Sequence, residues 1–321
     1  VPFRTVDLVT SATPAIDVRG VRKAYGSTVA IDDLSFAVHP GQVTGFVGPN
    51  GSGKSTTMRV ILGLDRADGG TVLVDGRPYR SLRRPLTVLG ALLDAGAVHP
   101  GRRARDHLRW IAQSNGLPAR RVDEVLDQVG LGPVARRPAG DLSLGMRQRL
   151  GLAAALLGDP PILMLDEPVN GLDAEGITWM RGLLRSLAAQ GRAVLLSSHL
   201  MSELEGTADH LVVIGRGRLV ADTTVEAMVA AASQARVEVR TARKVEAMAA
   251  LANAGATVAA IDHELLTVTG LDGTGVAAVL GAAGITFSEL RRHRATLEAA
   301  YMELTRDHTD LTAPGDGRGA R

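Results

Sequence analysis

The sequence predicts an α/β domain built on a parallel sheet, followed by a small α+β domain. Three observations carry this. From Ile16 to about residue 220, short β-branched runs alternate with helical patterns and Gly-rich turns. Two of those runs, Val43–Val47 and Ile162–Leu165, are apolar throughout but for Thr44, the habit of strands buried on both faces of a parallel sheet. Past about residue 230 the pattern becomes β-α-β-β-α-β, the split βαβ order.

Taken in order, residues 1–14 read as a flexible lead-in and 15–230 as the larger domain. Within it, residues 87–93 and 193–196 are further strands, and residues 102–129 turn polar and helical, a helical subdomain set into the α/β core. The smaller domain spans 235–308. Residues 236–241 alternate, with Val237 and Val239 inward. A helix follows with Val245, Met248, Ala249 and Ala252 on one face, then strands over 257–261 and 265–269. Next come a helix over 274–283, a strand over 285–290, and a last helix with Leu297, Ala300, Tyr301 and Leu304 on one face. Residues 309–321 form a Gly/Arg-rich tail.

Composition removes several classes. With 45% hydrophobic residues among 321, the chain can pack, and its length favours more than one core. The absence of cysteine excludes disulfides, thiolate metal sites and cysteine nucleophiles, and fits a reducing compartment. No apolar run reaches the roughly 18 residues of a membrane span, and the N-terminus lacks a secretory apolar core. The net charge is only +2, with 34 acids interspersed, so no nucleic-acid partner is expected. Of 36 basic residues only Lys23, Lys54 and Lys244 are lysine. A lysine in so arginine-biased a chain is a candidate for chemistry that arginine does less well.

Lys54 stands in Gly48-Pro49-Asn50-Gly51-Ser52-Gly53-Lys54-Ser55-Thr56, which fits G-x-x-x-x-G-K-[ST] between a strand and a helix. In a chain of this composition roughly 0.005 such matches are expected by chance. Glycines let successive N–H groups converge on phosphate oxygens, and the helix N-terminus adds partial positive charge. Lys54 would place a compact charge on the β- and γ-phosphates of ATP, and Ser55 would offer a hydroxyl to Mg2+.

Ile162–Leu165 ends in Asp166 and Glu167. Ligands of parallel sheets sit at the strands' C-terminal ends, where the phosphate loop also begins. Successive strand residues point opposite ways, so the two acids take different roles. Asp166 would hold Mg2+ through its water shell, and Glu167 would act as general base on the attacking water.

Between these motifs, Leu142-Ser143-Leu144-Gly145-Met146-Arg147-Gln148-Arg149 resembles the LSGGQ signature of ATP-binding cassette (ABC) ATPases. The order of motifs over about residues 16–225 is similar to that family throughout. Tyr25 stands where the family stacks an aromatic on adenine, Asn170-Gly171-Leu172-Asp173 where it has its D-loop, and Ser197-Ser198-His199 where it has its switch histidine. The resemblance implies a P-loop ABC-ATPase core and a head-to-tail homodimer sandwiching two ATP molecules. In that arrangement Ser143 and Gly145 contact the γ-phosphate held by the other copy. Asp173 communicates across the dimer, and His199 hydrogen-bonds the γ-phosphate. There are two departures. The signature reads LSLGM, and the family's Q-loop glutamine is replaced by Asp94, here a candidate Mg2+ ligand.

The resemblance further implies a peripheral ATPase at the cytoplasmic face of the cell membrane, driving a separately encoded integral-membrane permease. Arg102, Arg103 and Arg105 lie in the expected docking region. The cassette's form resembles exporters of hydrophobic drugs, antibiotics or lipid-like compounds. The alternative is a non-transport ABC ATPase acting on ribosomes or DNA, against which stand the single cassette and the lack of a long coiled coil between the phosphate loop and the signature.

Overall fold

The computed structural model describes residues 13–233, 236–292 and 295–309. The proposed lead-in and tail therefore lie almost wholly outside the described residues. The chain divides into two compact units, the first ending at Thr224 and the second beginning at Val225.

In the first unit, β1 (Ile16–Tyr25) and β2 (Thr28–Val38) form a hairpin, and β3 (Val43–Val47) leads into α1 (Lys54–Ile61). After β4 (Gly69–Val74) and β5 (Leu89–Leu92) come α2 (Ala104–Ser114), α3 (Arg120–Gln128) and α4 (Leu144–Leu156). The unit closes with β6 (Ile162–Leu165), α5 (Ala174–Ala189), β7 (Ala193–Ser198), α6 (Met201–Leu204), β8 (His210–Gly215) and β9 (Arg218–Thr224). Helices α2 and α3 fall in the helical stretch expected over residues 102–129, and α4, beyond it, packs against both.

Two sheets build this unit. One is antiparallel, in the order β2-β1-β4; the other runs β5-β6-β7-β3-β8-β9, parallel except for β9. Every residue of β3, β6 and β7 is buried, as strands covered on both faces require, including the polar Thr44, Ser197 and Ser198. A core between the sheets gathers Val18, Ile31 and Leu34 with Met58 and Ile61 of α1 and with Met164 and Leu195. Burying each such side chain contributes about 1.5–3 kcal/mol, which makes the strand ends a stiff platform. Register aligns those ends: Leu92 pairs with Leu165, Leu165 with Leu196, and Val47 with Ser198. Asp94, Gly48, Asp166, Glu167 and His199 all follow on one edge.

The second unit opens with α7 (Val225–Ser233), continues through β10 (Val237–Arg240), α8 (Lys244–Asn253), β11 (Thr257–Ala260), β12 (Leu265–Thr269), α9 (Gly273–Ala282) and β13 (Glu289–Arg292), and ends with α10 (Leu297–Thr309). Its sheet is antiparallel in the order β11-β12-β10-β13. Val237, Val239, Leu266 and Val268 pack with Leu251, Val276 and Leu280.

Two local expectations are corrected here. On α8 the buried face is Ala247 and Leu251, while Val245 is 80% exposed. The helix is rich in alanine, so its pattern is weak and the one leucine, Leu251, sets which side faces the sheet. The last strand begins at Glu289, later than the sequence suggests; Ile285 is buried in the core from the preceding loop.

Candidate functional site

The loop from Gly48 to Thr56 is shaped by close backbone approach. A Cβ at Gly48 would lie 2.4 Å from the Ile214 carbonyl oxygen and 2.5 Å from Ser52 Oγ; one at Gly53 would lie 2.5 Å from the Ala30 carbonyl oxygen. Gly51 and Gly53 have φ of 78° and 104°, left-handed values that glycine adopts without strain. Gly53 also caps α1, so the helix N-terminus opens directly into the loop. Ser52 N–H donates to the Pro49 carbonyl at 3.1 Å, and Gly217 N–H donates to the Ser52 carbonyl at 2.9 Å. Asn50 and Thr56 lie in the same loop and its following turn.

Lys54 is buried, and its Nζ donates to the Gly48 carbonyl at 2.6 Å and to the Pro49 carbonyl at 3.3 Å. Burial holds the ammonium below the usual lysine pKa, opposed by the nearby carboxylates of Glu167 and Asp166. Ser55 Oγ donates to Asp166 Oδ2 at 2.7 Å. Glu167 has φ of 49°, an uncommon value for a bulky residue and more so just before Pro168. Its Oε2 lies 2.8 Å from His199 Nδ1. Five candidate residues, Lys54, Ser55, Asp166, Glu167 and His199, are thus brought together. His199 here reaches the carboxylate of the expected general base.

Two residues with no role assigned from the sequence complete this network. Ser197, buried in β7, accepts from Glu167 N–H at 2.9 Å and donates to Asp166 Oδ1. Gln148, buried on α4, donates from Nε2 to the Glu167 carbonyl at 3.1 Å. For Ser197 the available signal was a polar residue directly after four apolar residues of β7, since a buried polar group requires a partner; Gln148 stands between Arg147 and Arg149 and carries no such signal.

The other candidates make contacts of their own. Ser143 caps α4, accepting from Met146 N–H at 3.2 Å. A Cβ at Gly145 would lie 3.2 Å from Leu172 Cδ2, so the signature packs against the D-loop segment of its own chain. Asp173 caps α5, accepting from Gly176 N–H at 2.8 Å. Asp94 is exposed, and its Oδ1 accepts from Gly96 N–H at 2.7 Å. Tyr25 is 47% exposed at the end of β1. Its hydroxyl donates to Asp65 at 2.6 Å. In the helical subdomain Arg105 pairs with Asp123 at 2.6 Å, and Arg102 stacks over exposed Trp110.

The residues present fit Mg2+ and a nucleotide phosphate. Ser52 Oγ is buried with no hydrogen-bond partner, beside a Gly48 position with no room for a Cβ. Among the described residues no group of three or more His, Asp or Glu could cage a metal. A cation there would take most of its oxygens from phosphate and water, as Mg2+ commonly does, with Ser55 and Asp166 on the protein side.

Comparison with known proteins agrees with this geometry. The ABC transporter family matches residues 31–170, and a domain of unknown function matches residues 235–298. The daunorubicin resistance ATP-binding protein DrrA3 of Streptomyces coeruleorubidus is 34% identical over 309 residues, covering 92% of this chain and 97% of that protein. The chain belongs to the ABC transporter ATP-binding family. The bacitracin transport ATP-binding protein BcrA of Bacillus licheniformis is 38% identical over 208 residues, covering 64% of this ABC chain and 68% of its own length. A solved ATP-binding subunit of an ABC transporter is 26% identical, with a TM-score of 0.61, and covers 67% of this chain and 92% of its own. A dimeric bacterial ABC cassette, 22% identical over 65% of this chain and 98% of its own, shares the fold with a TM-score of 0.61. The chain is therefore an ABC ATPase, and among the described residues no helix is long and apolar enough to cross a membrane.

Proposed function

We propose that this ABC ATPase drives export of a hydrophobic drug, antibiotic or lipid-like compound through a separate integral-membrane permease, working as a head-to-tail homodimer at the cytoplasmic membrane face. The carrying observation is the cluster at the strand ends, where Ser55 meets Asp166 and Glu167 meets His199 beside Lys54. Relatives named for bacitracin transport and daunorubicin resistance support the cargo class.

In this reading Lys54 leaves its carbonyl partners for the β- and γ-phosphates, whose charge outcompetes neutral oxygens. Ser55 and Asp166 hold Mg2+, which when bound neutralises charge across the phosphates. Glu167 orients the attacking water and accepts its proton. His199 hydrogen-bonds the γ-phosphate and also holds the Glu167 carboxylate. Tyr25 stacks on adenine, and Asp94 approaches the cation once the site closes. Ser143 and Gly145 meet the nucleotide of the other copy, where the α4 N-terminus favours an anion, and Asp173 carries the signal between copies.

The test is Glu167→Gln, which keeps the hydrogen-bonding shape and removes the base. The variant should bind ATP normally, lose at least on the order of a hundredfold in turnover, and accumulate as an ATP-bound dimer. A monomeric variant with full activity would end this reading.

A further inference from the structure

The strained glutamate is held by more of the molecule than its side-chain role requires. Its N–H donates to Ser197 Oγ at 2.9 Å, and its carbonyl accepts from Asn170 N–H at 3.2 Å and from Gln148 Nε2 at 3.1 Å. A left-handed residue before proline persists only where its surroundings over-determine it. Gln148 is an expensive way to do so. It is buried, and its Oε1 has no partner, so half of the amide is desolvated without compensation.

Gln148 also belongs to the helix that begins at the signature. One turn earlier on α4, Leu144 covers the same segment: a Cβ at Gly171 would lie 2.1 Å from Leu144 Cδ2. The first two turns of α4 therefore grip residues 167–171 at two points, one apolar and one hydrogen-bonded. Leu144 stands where the LSGGQ pattern has a glycine, so its side chain makes a contact that glycine there could not.

We propose that Gln148 is a positioning residue that holds the Glu167 main chain, and so aims its carboxylate, while tying it to the signature helix of the same copy. The inference rests on Glu167 being the general base. Displacing that carboxylate by about an ångström is enough to slow the chemical step without altering phosphate binding.

Gln148→Met keeps length and bulk but cannot donate to the carbonyl. It should lower kcat on the order of tenfold to a hundredfold, with KM for ATP unchanged within about twofold. In the nucleotide-free protein, amide hydrogen exchange at Glu167 and Asn170 should speed up while β6 and α4 stay protected. Gln148→Leu should behave in the same way. Wild-type kcat in a soluble variant would overturn the proposal. So would equal losses in kcat and ATP binding with a lower Tm, or insolubility of both variants, since each marks a merely structural amide. Glu167→Gln run in parallel separates the two claims. If that variant hydrolyses ATP normally, the general-base reading fails, whereas the exchange rates still decide whether Gln148 holds the segment.

Discussion

The strand-end edge of the first unit and the sheet of the second are made of similar materials and obey different rules. In the first, a glutamate sits at positive φ, and Ser52 Oγ and Gln148 Oε1 are buried without partners. In the second, no non-glycine residue has positive φ and no buried side-chain polar atom lacks a partner, among the described residues. There the charges face one another along the strands: Arg291 pairs with Glu238 at 2.7 Å, and Arg240 lies near Glu289. Apolar Val239 and Leu266 fill the other face of that sheet. Local strain and unsatisfied polar atoms are costly, so a fold keeps them where a ligand or a reaction uses them. At the strand-end edge of the first unit these features stand beside the phosphate loop and the two carboxylates, the place the proposed chemistry needs them.

The sharpest way to break this contrast is to fill the phosphate loop. Gly48→Ala should weaken ATP binding by at least on the order of a hundredfold, because its methyl would meet a fixed carbonyl and the Ser52 hydroxyl. Equilibrium nucleotide binding measures it; wild-type affinity would mean that the loop is not a tight cradle. In the second unit the matching insult is a cavity. Leu266→Ala should destabilise that unit by about 2–5 kcal/mol while ATP affinity stays within about twofold. Denaturant unfolding followed beside nucleotide binding checks both halves.

A smaller effect tests one unsatisfied ring of the first unit. His107 in α2 is buried with Nδ1 unpartnered, and burial together with Arg102 holds its pKa below the ordinary 6.5. A folded-state pKa below the unfolded one means stability that is complete above about pH 6.5 and declines as pH falls below it. Thermal melts of the first unit should show this acid-side loss, and His107→Leu should flatten it. An unchanged pH slope in the variant would assign the loss to other groups.

How far these features were legible depends on the range of the interactions behind them. The bounds of β3 and β6 could be read directly, since strands buried on both faces are largely apolar runs, here closed by Gly48 and by Asp166. The phosphate loop was legible because glycine spacing and a scarce lysine are local signals. The stripe of α8 is hard to read from sequence, since alanine gives little contrast between helix faces and Leu251 decides the matter through its core contacts. Ser197 and Gln148 escaped for a related reason: each acts on Glu167 from far along the chain, Ser197 through strand pairing and Gln148 through helix packing. The left-handed Glu167 has no local signature either, since the proline after it argues for extended backbone.

The central claim is that the Gly48–Thr56 loop binds the phosphates that Glu167 helps to cleave, with Lys54 as a compact charge inside it. Lys54→Arg tests it most directly, because it keeps the charge and changes only its shape. Steady-state ATPase activity and ATP binding measured on this variant should both collapse, with Tm near that of the wild type. Normal turnover with arginine at position 54 would contradict the account.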